Sequence, residues 1–171
     1  VMLHLPMEPD SPARPGAGEI RVGMRRDEIE RLLDADLGSV PFVTGANNHM
    51  GSRATRDARL MTEVMDALER RRLFFIDSRT TPQSVALNVA RRRGIPTFYR
   101  SVFLDDTESV PYTLGQLREF IRVLEDQDAA IAIGHPHPTT LAALAQFLPE
   151  LERHAIRMVP ASELLRRPEI A

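Results

Sequence analysis

The chain has 171 residues, of which 43% are hydrophobic and 27% are charged, and its formal net charge at pH 7 is −2. This size predicts a single domain with one core, and the charge argues against the strongly basic surface of a nucleic-acid-binding protein. No apolar run approaches the roughly 20 residues that a membrane-spanning helix needs, and the absence of cysteine excludes disulfides, thiolate nucleophiles and cysteine-based zinc sites.

Strands and helices alternate along the predicted chain, since short apolar runs indicate strands and apolar residues at helical spacing indicate helices. The predicted strands are residues 1–5, 40–46, 73–76, 96–104, 129–133 and 156–159. The predicted helices are residues 25–36, 55–71 and 82–93, with two more beginning near residues 113 and 139. This order, without a hairpin signal, predicts right-handed βαβ units and a parallel sheet that is either open or closed into a barrel.

Capping residues set the expected helix boundaries. Gly38 and Gly94 are predicted to end the first and third helices. Thr113 is predicted to cap the fourth helix and Ser162 a terminal turn. Pro149 is expected to interrupt the fifth helix and restart it as a second short piece.

Polar side chains collect where four predicted strands end, a placement that core packing does not require. The carboxyl ends of parallel strands share one rim, so we expect these groups to converge although they are far apart in the sequence. The groups are His4 with Glu8, Asn47-Asn48-His49, Asp77 with Arg79, and His135 with His137.

Each of these groups also has a structural interpretation that the sequence leaves open. In chain order, these are a core histidine for His4, a solvated carboxylate for Glu8, a tight turn for His49, a helix cap for Asp77, and solvent exposure for His135 and, more strongly, His137.

The residue types at this rim favour one class of chemistry. Imidazoles with one or two carboxylates suit Zn²⁺ or another first-row divalent ion that keeps a position open for water. Such an ion lowers the pKa of bound water towards about 7 and polarises a carbonyl. A separate histidine, oriented by an aspartate, would protonate the leaving group. These roles predict metal-assisted hydrolysis of an amide or ester.

Five motifs follow one another at consistent spacing through nearly the whole chain. They are His4-Leu5-Pro6-Met7-Glu8-Pro9, Asn47-Asn48-His49-Met50-Gly51-Ser52, Phe75-Ile76-Asp77-Ser78-Arg79-Thr80-Thr81, Val102-Phe103-Leu104-Asp105 and Ile133-Gly134-His135-Pro136. Together they resemble the divergent polysaccharide deacetylase family, a distant branch of the polysaccharide deacetylases.

The resemblance implies a parallel-stranded, distorted (β/α) barrel, of which residues 1–171 would form a single, partial domain without its N-terminal strands. It implies a metal-dependent hydrolase, with Zn²⁺ as the expected ion, that removes N- or O-acetyl groups from an envelope or extracellular polysaccharide or a peptidoglycan-like glycan. It also implies a periplasmic or secreted setting, although residues 1–5 lack the charged region of a signal peptide.

The same resemblance implies the metal ligands. His4 is similar to the first histidine of the deacetylase metal motif, and Glu8 stands four residues later, where other deacetylases place a second histidine. His49 is the imidazole expected to complete the set.

The remaining roles also follow from the resemblance. His135 is similar to the late histidine that acts as general acid, and Asp77 is expected to orient it or to hold substrate. Asn48, Arg79 and Asp105 are expected to bind the substrate.

Two departures from the family pattern define an alternative. The family opens with a strand that ends in two aspartates, one a metal ligand and one the general base, and we expect this strand upstream of Val1. Ser101 stands where relatives carry aspartate. The aspartate pair, and Glu8 in place of a histidine, favour this alternative, which is a non-catalytic envelope protein that binds a glycan or a partner and retains the deacetylase fold.

Overall fold

The structure is a computed structural model that describes residues 1–165, and the chain divides into two compact units. The first unit, Val1–Tyr99, contains β1 (Met2–Met7), α1 (Arg26–Gly38), β2 (Gly45–Met50), α2 (Ala58–Arg70), β3 (Phe74–Asp77), α3 (Ala86–Arg92) and β4 (Thr97–Tyr99). The second unit starts at Arg100 and contains β5 (Val102–Phe103), α4 (Val110–Asp126), β6 (Ala132–Ile133), α5 (Pro138–Arg153) and α6 (Ala161–Leu164).

The first unit is built on a four-stranded sheet in the order β1-β2-β3-β4. Each neighbouring pair of strands is parallel, and the register places His4 opposite Asn47 and Pro6 opposite His49. The helices that connect the strands are the crossovers that a parallel sheet requires. The predicted α/β fold with a parallel sheet is therefore confirmed.

One face of β1 packs into the core of the first unit, and the other carries the site. Leu3 and Leu5 are buried, whereas His4 between them is exposed, because successive side chains of a strand point to opposite faces. Burial of each such apolar side chain contributes about 1.5–3 kcal/mol. The apolar stripe of α2 is buried in the same core and consists of Leu60, Met61, Val64, Met65 and Leu68.

The strand β1 runs through Pro6, which the sequence placed in the exit loop. Thr44 N–H donates to Val1 O, so alternate residues of β1 face β2, while Pro6 faces the outer edge and its carbonyl accepts from Ile20 N–H. A proline at an edge position costs no sheet hydrogen bond, because its missing N–H would point away from the partner strand.

The second strand lies later in the sequence than predicted. β2 is Gly45–Met50, whereas the apolar residues 40–43 form a turn in which Phe42 has a φ of +59°. The side chains of Asn47 and Asn48 are buried in the sheet. Hydrogen bonds to Ser78 compensate for the loss of water at both amides. The prediction of a strand at residues 40–46 was therefore wrong over most of its length.

Two helices of the first unit begin later than predicted. Asp57 caps α2 by accepting from Leu60 N–H. α3 begins at Ala86 and not at Pro82. Val85 N–H donates a hydrogen bond to Thr55 O and therefore does not take part in a helix that starts at Pro82.

The second unit pairs two short parallel strands with two long helices. Val102 lies opposite Ala132, and Phe103 lies opposite Ile133. A separate apolar core lies between the helices and these strands, and its buried members are Val102, Leu104, Leu117, Ile121, Ala143, Phe147 and Leu151. The predicted strand 96–104 is thus two strands, β4 and β5, that belong to different units.

Three other predictions in the second unit were wrong. Ser109 caps α4 by accepting from Tyr112 N–H, so Thr113 lies inside the helix. α5 continues through Pro149. Residues 156–159 form no strand in the described structure, and Ser162 lies within α6.

Among residues 1–165, no helix combines the length and the apolar character needed to cross a membrane.

Candidate functional site

Two imidazoles meet on the exposed face of the first sheet. His4 on β1 and His49 on β2 have ring centroids 4.6 Å apart, and Nε2 of His4 is 3.0 Å from Nδ1 of His49. Two nitrogens that bind one tetrahedral Zn²⁺ at 2.0–2.1 Å lie about 3.3 Å apart. The pair therefore fits two ligands of one divalent ion.

Asn47 sets the orientation of the His4 ring. Its Oδ1 is 3.1 Å from Nδ1 of His4, and its Nδ2 donates to Ser78 Oγ at 3.0 Å. Because a carbonyl oxygen only accepts, Nδ1 of His4 carries the proton and Nε2 keeps its lone pair. This is how outer-sphere partners prepare a histidine to bind metal.

Glu8 is engaged elsewhere. Its Oε1 lies 2.9 Å from Nη1 of Arg53, and its Oε2 accepts from Val22 N–H at 2.8 Å. Within residues 1–165, Glu8 does not complete a three-ligand cluster with His4 and His49. The structure thus brings the two predicted histidines together but gives Glu8 a role in holding two loops, and Glu8 as a metal ligand stays a prediction.

Asn48 is buried beneath the rim with only 1% of its surface exposed. Its Oδ1 accepts from Ser78 N–H and its Nδ2 donates to Met50 O, each at 2.8 Å. Met50, the last residue of β2, has a φ of +54°, so this amide holds a strained residue where the strand ends. These contacts tie together the loops that follow β2 and β3.

Asp77 and Arg79 are connected at the end of β3. Asp77 is 1% exposed, and its carboxylate accepts from Arg79 N–H and Ser84 Oγ, each at 2.8 Å. It also accepts from Leu87 N–H at 3.3 Å, which is the capping role that the sequence left open. Arg79 has a φ of +46°, and its guanidinium lies 4.2 Å from the centre of the Tyr99 ring.

A histidine and an aspartate form a pair in the second unit. Nδ1 of His135 lies 3.0 Å from Oδ1 of Asp105, whose side chain is fully buried while that of His135 is 48% exposed. Oδ2 of Asp105 accepts from Thr140 Oγ1 at 2.8 Å and from His135 N–H at 2.5 Å. Asp105, predicted as a substrate-binding residue, is thus the carboxylate that accepts hydrogen bonds from the predicted general acid, His135.

The environment of Asp105 favours its ionised form. Burial is the largest single influence and acts to raise the pKa, but it is outweighed. Hydrogen bonds from His135 N–H, the Thr140 hydroxyl and the His135 ring, with the charge of that ring, together hold the pKa of Asp105 below its usual range. An ionised aspartate at Nδ1 orients the His135 ring and keeps a proton on that nitrogen.

His137 adds a third group beside this pair. Its ring centroid is 5.4 Å from that of His135, and its Nε2 is 3.6 Å from Oε1 of Glu108. One ligand atom from each of Asp105, His135 and His137 lies within 4.8 Å of the others, so this cluster can hold a metal ion. The proline-rich loop was the only sequence signal for His137, and exposure was the favoured interpretation there.

Comparisons with known proteins agree with the fold and the motifs. A model of the divergent polysaccharide deacetylase family matches residues 1–165. The chain is 39% identical to uncharacterized protein YibQ of Escherichia coli and 36% identical to an uncharacterized protein of Haemophilus influenzae. Each match covers 99% of the chain, but 53% and 60% of these relatives, so the chain spans little more than half of their length.

A solved structure shares the fold. The crystal structure of uncharacterized protein ATU2773 from Agrobacterium tumefaciens superimposes with a TM-score of 0.89 over 94% of this chain and 66% of that one, at 23% identity. Since the family match extends over all the described residues, the chain belongs to the divergent polysaccharide deacetylase family.

Proposed function

We propose that this chain is part of a metal-dependent hydrolase that removes acetyl groups from an envelope or extracellular polysaccharide. The observation that carries the proposal is the 3.0 Å approach of Nε2 of His4 to Nδ1 of His49 in a chain of the deacetylase family. We further propose Zn²⁺ as the ion, an overall distorted (β/α) barrel, and a periplasmic or secreted location.

His4 and His49 would hold the ion through these two nitrogens. When bound, the ion supplies Lewis-acid polarisation of the acetyl carbonyl and activation of water. Asn47 would keep the proton of His4 on Nδ1, so that Nε2 is the nitrogen that binds the ion. The buried amide of Asn48 holds the turn that follows His49.

His135 would act as the general acid. Asp105 fixes the proton on Nδ1, so the second proton of the imidazolium is carried on Nε2 and can pass to the leaving amine or hydroxyl. Ionised Asp105 would orient the His135 ring for the transfer, as the aspartate of a catalytic triad does.

The test measures metal content and acetate release from an acetylated chito-oligosaccharide, with and without chelator, using the full-length protein. We expect metal-dependent release that His4→Ala abolishes together with the metal held by His4 and His49, and that His135→Ala abolishes while that metal is retained. His154→Ala is the matched control, because His154 is an exposed histidine at the end of α5. Release that persists in His4→Ala would contradict the proposal.

One observation favours a second candidate, a non-catalytic protein that binds a glycan or a partner. Both carboxylate oxygens of Glu8 are used by Arg53 and Val22, which leaves two histidines from the first unit as ligands. Retained binding of the oligosaccharide without metal and without acetate release would support this candidate over the hydrolase.

A further inference from the structure

We propose that the second unit carries a separate divalent transition-metal site, formed by His135, His137 and Glu108 and oriented by Asp105. We infer that excess Zn²⁺ bound there inhibits hydrolysis by occupying Nε2 of His135. The inhibition rests on the proposed function, whereas the metal site itself does not.

In both His135 and His4, Nδ1 is hydrogen-bonded to a side-chain oxygen, which orients Nε2 for a metal ion. Nδ1 of His135 is bonded to a buried carboxylate, so Nε2 is the nitrogen left for a ligand, and the side chain is 48% exposed. A histidine that is backed by a carboxylate in this way is the arrangement found behind zinc ligands. The group that suits a general acid therefore also suits a metal ligand.

His137 supplies the second imidazole from a rigid segment. It directly precedes α5, whose first residue is Pro138, and Pro136 separates it from His135. Proline fixes φ on either side of His137, which restricts the loop. The 5.4 Å between the two ring centroids places both imidazoles within reach of one ion.

Asp105 acts behind the site and not in it. Its side chain is fully buried, and its oxygens accept from the ring and N–H of His135 and from Thr140 Oγ1. Three of the roughly four lone-pair sites of this carboxylate are therefore in use, and Asp105 contributes to the site by holding His135.

Glu108 is the carboxylate that remains. Its Oε1 lies 3.6 Å from Nε2 of His137, and its side chain is 65% exposed and so is able to rotate. Two imidazoles and one carboxylate are an established ligand set for Zn²⁺ with a position left for water. The proposed ligands are therefore His135, His137 and Glu108.

The binding test is equilibrium dialysis of the full-length, metal-stripped protein against Zn²⁺, repeated with Co²⁺ to record its visible absorption. We expect His137→Ala and Glu108→Gln each to weaken one binding event by about 10–100-fold. His4→Ala should remove the binding event at the His4–His49 pair and leave the event at His135 and His137 unchanged. His154→Ala should bind Zn²⁺ as the unchanged protein does. Equal binding by the unchanged protein and His137→Ala would overturn the site.

The inhibition test compares acetate release at ten equivalents of Zn²⁺ with release at one equivalent, within each variant. We expect acetate release to be lower at ten equivalents than at one for the unchanged protein and for His154→Ala, but not for His137→Ala. An equal fall in His137→Ala would overturn the inhibitory role. Absence of hydrolysis in every variant would refute the proposed function and the inhibition, while dialysis would still decide whether the metal site exists.

Discussion

Nε2 of His4 lies 3.0 Å from Nδ1 of His49 although 45 residues separate them in the chain. The parallel register of β1 and β2 produces this contact, because it places His4 opposite Asn47, and His49 follows two residues later on the same face. A slip of one residue would turn one imidazole to the other face of the sheet. The contact between the two imidazoles is thus a direct consequence of strand pairing.

Asn47→Ala is expected to weaken metal binding by about 10–100-fold, because the His4 ring loses the acceptor that fixes its tautomer. The affinity is measured by competition with a chelating indicator. Asn47→Asp keeps an oxygen acceptor at Nδ1 of His4 and should restore most of the affinity. If Asn47→Ala binds Zn²⁺ as tightly as the unchanged protein, Asn47 does not prepare His4 for the ion.

The parts of the fold that sequence predicted well are those buried on both sides or marked by strong periodicity. β3 was placed within one residue because Phe74, Phe75 and Ile76 form a continuous apolar run. β2 was misplaced because its buried side chains include asparagines, whose burial depends on hydrogen bonds from other segments. Hydrophobic pattern alone carries no signal for such a strand.

The candidate site was predictable in part for a similar reason. Strand ends in a parallel sheet share a rim, and this rule led us to expect that His4 and His49 converge. They do so within β1 and β2, through the register of the two strands. The partner of His135 was not predictable, because Asp105 and Asp77 both follow apolar segments and only coordinates show which carboxylate reaches the ring. The contact of His137 with Glu108 was not predictable either, because it joins two different loops.

Asn48→Ala is expected to lower the free energy of unfolding by about 1–3 kcal/mol, because it leaves the Ser78 N–H without its buried acceptor. Denaturant unfolding of the two proteins measures the difference. Asn88→Ala, a change at an exposed asparagine of α3, should alter stability by less than about 0.5 kcal/mol. A loss of substrate affinity at unchanged stability would instead favour the predicted substrate-binding role of Asn48.

Asp105→Asn is expected to reduce stability at pH 7 by about 2–3 kcal/mol, because charge-assisted hydrogen bonds from His135 are lost. The pKa of Asp105 is lowered in the folded state, so its stabilisation is present above the unfolded-state value of about 3.9 and is lost as pH falls through the folded-state value. Urea unfolding at several pH values should therefore show the difference shrinking below about pH 4. The exposed Asp128→Asn change serves as the control, and a difference that stays constant down to acid pH would count against an ionised Asp105.

Gly45→Ala tests the packing that supports the pair of histidines. Gly45 lies opposite Phe74, and a Cβ at Gly45 would lie 2.4 Å from the nearest Phe74 ring atom, a distance that forces the buried ring to move. We expect a loss of about 1–3 kcal/mol in the free energy of unfolding, with part of it recovered when Phe74→Leu is added. Gly115→Ala should instead be neutral or stabilising by up to about 1 kcal/mol, because nothing lies within 4 Å of its Cβ in the middle of α4. Equal effects of the two glycine changes in thermal and denaturant unfolding would show that the Phe74 ring yields at no cost, and that β2 is not held in place by this contact.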